Sequence, residues 1–318
     1  ALNVPLIRGD GSFGRVYSST SAAAPRYTMA GMGEHSRLFF RDVQGATMVE
    51  AETDEGMEFD VLPVPYPHIL VANNSGLAVS TSSRTPSFNF WDVLDITEKY
   101  LKQGHLGVED ILVPDFPTGG HVIYDQKEFY KVLVTGKGRF KVRANVEIQG
   151  KDIIVTEVPV DKTVEMIVKK IQEKMSEDKL KGIKDVINGI DNEHGCRIII
   201  RCTSQAVTET VLMALYREGL LQTYYSANMV TINGRKPVLT GGVQEILKQW
   251  VEWRKSVIIK KNQGIVAAEE DRSRKLGFFL RLINNHEWRD RYIELLLETG
   301  GLRKGNDYLR ELFEDIDG

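Results

Sequence analysis

Two cysteines, Cys196 and Cys202, are all the thiol chemistry this 318-residue chain carries, and both lie in the run Cys-Arg-Ile-Ile-Ile-Arg-Cys. As a strand rising about 3.3 Å per residue, that run holds the thiols roughly 20 Å apart and excludes a bond between them. The expectation is a reducing, intracellular setting, and the cysteine–histidine spacing of a metal site is missing as well. No apolar stretch approaches the ~20 residues that cross a bilayer, and the start has no signal-peptide pattern. A cytoplasmic location and no membrane partner are therefore expected. Lysine is absent from the first 98 residues, where arginine supplies every fixed positive charge. The chain opens on Ala1 rather than methionine, inside what reads as an element already under way, so a fragment is expected.

What is present has ordinary proportions, with 42% hydrophobic and 27% charged residues, and the length suffices for two or three domains with a substantial core. A formal net charge of −3 argues against a protein that coats nucleic acid indiscriminately. It leaves room for a localised groove, because binding follows where the cations sit. Acids gather at Glu50, Glu52, Asp54, Glu55, Glu58 and Asp60; a solvated loop or helix face is the reading preferred over a metal site.

Along the chain, residues 1–47 are rich in Gly, Ser and Ala and suggest small strands and turns. Proline and glycine then punctuate apolar pieces as far as Asn89, including His68–Val71 and Ser75–Val79, and strands with tight turns are expected. Phe90 to Lys102 has helical spacing and ends near Gly104. Gly136 to Ile148 alternates basic and apolar residues, which on a strand would set a row of cations on one face. Asp161 to Lys181 reads as an amphipathic helix with Asp161 as N-cap. Strand Arg197–Cys202, helix Thr208–Glu218 and strand Met229–Ile232 complete a mixed unit. From Val243 to about Asn284 no proline interrupts a helical pattern; forty such residues would reach about 60 Å, an arm rather than a core element. Two shorter helices, Trp288–Leu297 and Tyr308–Ile316, follow.

One run concentrates the chemistry: Ala22-Ala23-Ala24-Pro25-Arg26-Tyr27-Thr28 puts an arginine directly before a tyrosine. A tyrosine hydroxyl, with a reference pKa near 10, is a poor nucleophile at neutral pH. A neighbouring cation that stabilises an attacked phosphate, with another group taking the proton, makes it a useful one. The bland alternative is a tyrosine that packs beside an unrelated arginine. Upstream, Gly9-Asp10-Gly11-Ser12-Phe13-Gly14-Arg15-Val16 imitates the glycine-rich loop of protein kinases. A kinase also needs a lysine on a nearby strand, yet the first lysine is Lys99. There is no His-Arg-Asp or Asp-Phe-Gly, and Pro114-Asp115-Phe116-Pro117 does not stand in for them.

Taken in order, these motifs resemble the breakage-reunion subunit of type IIA DNA topoisomerases, the gyrase A and topoisomerase IV C-type subunits. The resemblance is read as strongest to the medium subunit of T-even bacteriophage topoisomerase. The resemblance runs through Gly9–Gly14 and Ala23–Thr28. It continues through Leu62-Pro63, Pro67 to Leu70 and Ser75 to Val79, then Pro114–Gly120 and Thr135–Arg139. Val155–Val160, Asn228–Val230 and the arm from Glu245 to Lys261 with Arg254 complete it. Pro25 and Ser80 depart from the family's usual residues without removing a catalytic atom.

The resemblance implies an α+β fold: the tail of a winged-helix domain over 1–47 carrying the nucleophile, a tower domain over 48–242, and a helical coiled-coil arm over 243–318 leading to a dimer gate. It implies that Tyr27 attacks a phosphodiester of double-stranded DNA and stays on the 5′ phosphate, while Arg26 contacts the scissile phosphate. Leu77 stands where the family wedges an isoleucine between base pairs; a core leucine on a strand is the alternative. Arg139 and Lys141 would hold the DNA backbone or merely face solvent, and Arg15 is a weaker candidate for a DNA contact. The implied assembly is a homodimer joined to a TOPRIM and ATPase subunit that holds Mg2+ and ATP, neither of which this chain is expected to bind. The histidine that assists the tyrosine lies upstream of the glycine turn in the family and matches none here, His35 included. The fragment alone is therefore expected not to cleave DNA efficiently. The other reading kept open is a non-catalytic DNA-bending or scaffold module.

Overall fold

The structure is a computed structural model that describes residues 6–50, 56–78, 81–191, 193–233, 236–239 and 241–317. Val79, Ser80, Glu52, Asp54 and Glu55 lie outside the described residues. In chain order the first elements are β1 (Ile7–Asp10), β2 (Met29–Met32), β3 (Met48–Glu50), β4 (Met57–Phe59), α1 (His68–Val71), β5 (Asn74–Ala78) and β6 (Thr81–Thr85). Then follow α2 (Phe90–Gln103), β7 (His121–Val122), α3 (Gln126–Thr135), β8 (Lys137–Arg143), β9 (Asn145–Gln149), β10 (Asp152–Glu157) and α4 (Val164–Ser176). The remainder is β11 (Ile183–Asn188), β12 (Ile198–Cys202), α5 (Thr208–Arg217), β13 (Gln222–Asn228), β14 (Val230–Asn233), β15 (Lys236–Leu239), α6 (Gly242–Asn284), α7 (His286–Leu297) and α8 (Gly301–Asp317). The fold is mixed α and β with a long helix towards the C-terminus, as the sequence led one to expect.

The chain divides into two compact units, residues 1–41 with 62–255, and residues 42–61 with 256–318. The first contains, besides the two-stranded ladders β1-β2 and β14-β15, two larger sheets, each with its own core. One has the strand order β5-β6-β13-β8-β7. Antiparallel pairing puts Phe140 opposite Tyr225, and their rings stack with centroids 5.3 Å apart. Phe129 meets Phe140 edge-on at 5.3 Å. Aromatic pairs of this kind contribute about 0.5–1.5 kcal/mol beyond their area. Burial pushes the Tyr225 hydroxyl up to about 12.

The other sheet, β11-β12-β10-β9, sets Ile153 opposite Ile200. Ile167 and Ile171 of α4 and Leu215 of α5 pack in the same core. Cys196 and Cys202 are free thiols in this core. Burial pushes the Cys196 thiol up to about 11 and raises that of Cys202.

Helix ends follow local capping chemistry. The Asn89 side chain accepts from the Trp91 amide and Gly104, at φ 76°, closes α2. Asp125 and Gly136 frame α3 in the same way. Three expectations fail, the first being the single strand over Gly136 to Ile148, which is two, β8 and β9. His68–Val71 forms one helical turn instead of a strand: Pro67 presets the entry, and adjacent Leu70 and Val71 are both fully buried, which an alternating strand does not permit. Asp161 does not cap α4; it takes a left-handed φ of 63° and pairs with Arg84. Thr163 caps instead, accepting from the Met166 amide at 3.4 Å.

Helix α6 runs for 43 residues. It starts at Gly242, where φ is 79° and a Cβ would collide with the Val132 carbonyl oxygen, so only glycine fits. Near its start, Arg254 donates to the Pro63 carbonyl at 3.0 Å. In the second unit, Lys261 pairs with Asp42 at 2.6 Å and Lys260 donates to the Thr47 hydroxyl at 3.1 Å. Phe278 meets Phe313 of α8 at 4.9 Å. The exposed positions of Glu58 and Asp60 agree with a solvated acidic stretch.

Candidate active site

The site begins with residues too small to anchor themselves. Ser21, Ala22 and Ala24 are exposed, and the chain turns through a single 3-10 turn at Pro25–Tyr27. Pro25 supplies the fixed φ for that turn; the Tyr27 amide donates to the Ala24 carbonyl at 2.9 Å and the Thr28 amide to that of Pro25 at 3.2 Å. Tyr27 is 66% exposed. The Arg26 guanidinium carbon stands 4.9 Å from the Tyr27 ring centroid, so cation and phenol share one exposed corner. The hydroxyl meets no hydrogen-bond partner among the described residues.

The glycine turn that imitates a kinase loop has a different task. Gly11, at φ 94°, lies so close to Tyr27 that a Cβ would come within 2.5 Å of the Tyr27 carbonyl oxygen. The Ala23 amide donates to the Ser12 carbonyl at 2.9 Å. The glycines therefore let the backbone pack against the tyrosine segment. Arg15 is exposed on this loop and borders a polar cleft of about 830 Å³ that Ser18, Thr20, Glu165 and Asn188 also line.

Leu77 lies on the β5–β6 hairpin opposite Ser82. It is 93% exposed, which rules out the core-leucine alternative in the free chain. An apolar side chain held out on a hairpin can enter a base step as a wedge.

The basic row on β8 forms as its alternation requires. Phe140 and Val142 are buried, while Arg139, Lys141 and Arg143 point the other way. The three cations differ in their engagement. Arg143 donates to the Gln222 side chain at 2.7 Å and lies 4.8 Å from the Tyr216 ring, so the sheet already holds it. Arg139 and Lys141 flank the ring of Tyr224, at 4.2 and 5.5 Å. Tyr224 is 47% exposed on β13, directly opposite Lys141. Sequence reasoning missed it, because it enters the row only through strand pairing.

The described residues bring no three His, Cys, Asp or Glu side chains together where a metal ion could be held. His35, the first histidine after Tyr27, packs 6.3 Å from the Phe90 ring in an aromatic cluster. Among the described residues no helix is long and apolar enough to cross a membrane.

Residues 1–302 match the family model that describes the A subunit of DNA gyrase/topoisomerase IV. The chain is 30% identical over 285 residues to the DNA gyrase A subunit of Haloquadratum walsbyi, covering 88% of this chain and 33% of that protein. It is 30% identical over 299 residues to that of Granulibacter bethesdensis, covering 90% and 31%. With the Chlamydia trachomatis protein the figures are 28% over 326 residues, 98% and 38%. The chain thus spans about a third of the length of these curated relatives.

Proposed function

The chain belongs to the A-subunit family of DNA gyrase and topoisomerase IV, and on that premise we propose that it breaks and rejoins double-stranded DNA with Tyr27 as nucleophile. The observation that carries this reading is Tyr27, two-thirds exposed, with Arg26 over its ring. The phenol oxygen attacks a backbone phosphorus; the P–O3′ bond breaks, and the 3′ oxygen leaves as a hydroxyl. The phenolic proton passes to a base outside the described residues, and the departing 3′ oxygen takes up a proton from water. Arg26, permanently charged and planar, neutralises the charge that gathers on the non-bridging phosphate oxygens. The phosphotyrosyl bond conserves the phosphodiester's energy, so the 3′ hydroxyl reseals the strand by reversing the attack.

The other parts of the interface take roles that follow from their exposure. Leu77 inserts into a base step and bends the duplex. Arg139 and Lys141, flanking Tyr224, neutralise phosphates without reading sequence, and Arg15 adds a weaker contact at the glycine turn. Residues 1–47 are the tail of a winged-helix domain, 48–242 a tower beside the DNA, and 243–318 an arm through which two copies dimerise. Within the family the proposed branch is that of the T-even bacteriophages. A TOPRIM and ATPase subunit supplies Mg2+ and ATP, so this chain alone does not cleave.

Denaturing trapping tests the reading. The complete subunit with its ATPase partner, Mg2+ and end-labelled duplex should yield a protein–DNA adduct that Tyr27→Phe abolishes. An adduct that survives Tyr27→Phe places the nucleophile elsewhere. No adduct from either protein returns the chain to the non-catalytic DNA-bending module.

A further inference from the structure

The residues just before Arg26 and Tyr27 cannot position them. Thr20 to Ala24 carry small side chains, and none of them is buried. Position must come from where the segment is tied down, and its N-terminal tie is unusually dense. Three consecutive residues, Tyr17 to Ser19, meet three consecutive residues at the start of α4. The Val164 amide donates to the Tyr17 carbonyl at 2.9 Å. The Ser18 hydroxyl donates to Glu165 Oε1 at 2.6 Å, and the Ser19 amide donates to Glu165 Oε2 at 2.8 Å. The Ser19 and Thr163 hydroxyls lie 2.7 Å apart. Ser18 is buried, while Glu165 is only partly so and borders the polar cleft.

One carboxylate thus fastens two successive residues at once, with charge-assisted bonds. Ala23, bound to the Ser12 carbonyl, is the next fixed point, and Gly11 against the Tyr27 carbonyl is the last. Between Ser19 and Ala23 the backbone of Thr20 and Ala22 also lies close against Gly14.

We propose that Glu165 is a positioning residue for the Tyr27 nucleophile: it locks the Ser18–Ser19 turn to α4 and thereby sets the reach of the Arg26–Tyr27 corner. The proposal rests on the breakage-reunion reading for its consequence, though not for its geometry. Glu165 touches neither phosphate nor phenol. It acts through the strap, so its loss slows the attack and leaves unchanged the DNA affinity to which Arg139, Lys141 and Leu77 contribute.

Two measurements on the complete subunit separate the outcomes. The first is hydrogen exchange of the peptide spanning residues 19–28 in the absence of DNA. Glu165→Ala should speed exchange at the Ala23 amide by about tenfold, the scale of losing a hydrogen bond to a charged group; unchanged exchange overturns the clamp. The second is single-turnover adduct formation with the ATPase partner, Mg2+ and duplex. Glu165→Ala should slow it by about ten- to a hundredfold, as small misplacements of a nucleophile do, at unchanged DNA half-saturation. Glu165→Gln keeps one acceptor oxygen and should recover part of the rate. Adding Ser18→Ala to Glu165→Ala should cost little more, because both break one link. A rate equal to that of the unsubstituted protein overturns the proposal, as does a parallel loss of rate and affinity. If the unsubstituted protein forms no adduct at all, the breakage reading fails, and the exchange measurement still decides the clamp.

Discussion

Leu77→Ala separates what the hairpin does for the fold from what it does for DNA. The side chain is 93% exposed, so truncating it removes almost no buried surface. Stability should change by less than about 0.5 kcal/mol. In the bent complex the same truncation removes three carbons from a base step. At about 0.8 kcal/mol per methylene that is roughly 2.4 kcal/mol, or about 50-fold in affinity as a ceiling. Unstacking a step costs a few kcal/mol, which the wedge offsets, so the bend should relax together with the affinity. Energy transfer between dyes at the two ends of a short duplex reports the bend, and a thermal melt of the free protein reports the fold. Leu70→Ala is the control. Leu70 is fully buried, so truncation there should cost about 2–5 kcal/mol of stability. A bend unchanged by Leu77→Ala, or a melt lowered as far as by Leu70→Ala, refutes the reasoning.

Other expectations follow from charge and burial. Arg139→Ala and Lys141→Ala should each reduce the slope of log affinity against log salt by about 0.9, the loss of one phosphate contact; an unaltered slope makes them solvated cations. Glu165 resists the raising effect of burial because the Ser18 hydroxyl and Ser19 amide hold its carboxyl low. The Gly107 amide holds Asp110 low, and Lys131 does so for Glu128. Depressed folded-state values mean that their stabilisation is present above the unfolded values near pH 4 and is lost as pH falls through the folded ones. The denaturant midpoint should stay level from neutral pH to about pH 5 and decline below pH 4; a midpoint that rises on acidification contradicts the assignment. The thiols of Cys196 and Cys202, both buried and both raised, should resist a thiol reagent at pH 8 until the protein unfolds; prompt labelling of the folded chain counts against the second core.

Elements with local punctuation were readable from sequence. α2 has Asn89 before it and Gly104 after it, and α6 has an unbroken helical pattern, so both fall within a residue or two of expectation. α3 had equally good caps in Asp125 and Gly136 but went unread beside the stronger basic alternation that follows. That alternation was read as one strand to Ile148. It is two, β8 and β9, because the chain breaks at Ala144, whose amide turns to the Leu221 carbonyl. β13 buries only Tyr225 and Ala227, too faint a period to stand out, yet it completes the sheet and supplies Tyr224. In the same way Arg26 and Tyr27 are adjacent in sequence and could be found together. Glu165 lies on α4, 147 residues from its partner Ser18, and only folding brings them together.

The most direct measurement concerns the bond itself. The complete subunit with its ATPase partner would be trapped on duplex DNA and digested, and the DNA-bearing peptide fragmented in a mass spectrometer. Breakage and reunion at this corner requires the peptide to contain Tyr27, with its phenol oxygen joined to a 5′ phosphate and a free 3′ hydroxyl on the other fragment. A linkage to any other residue, or to a 3′ phosphate, contradicts it.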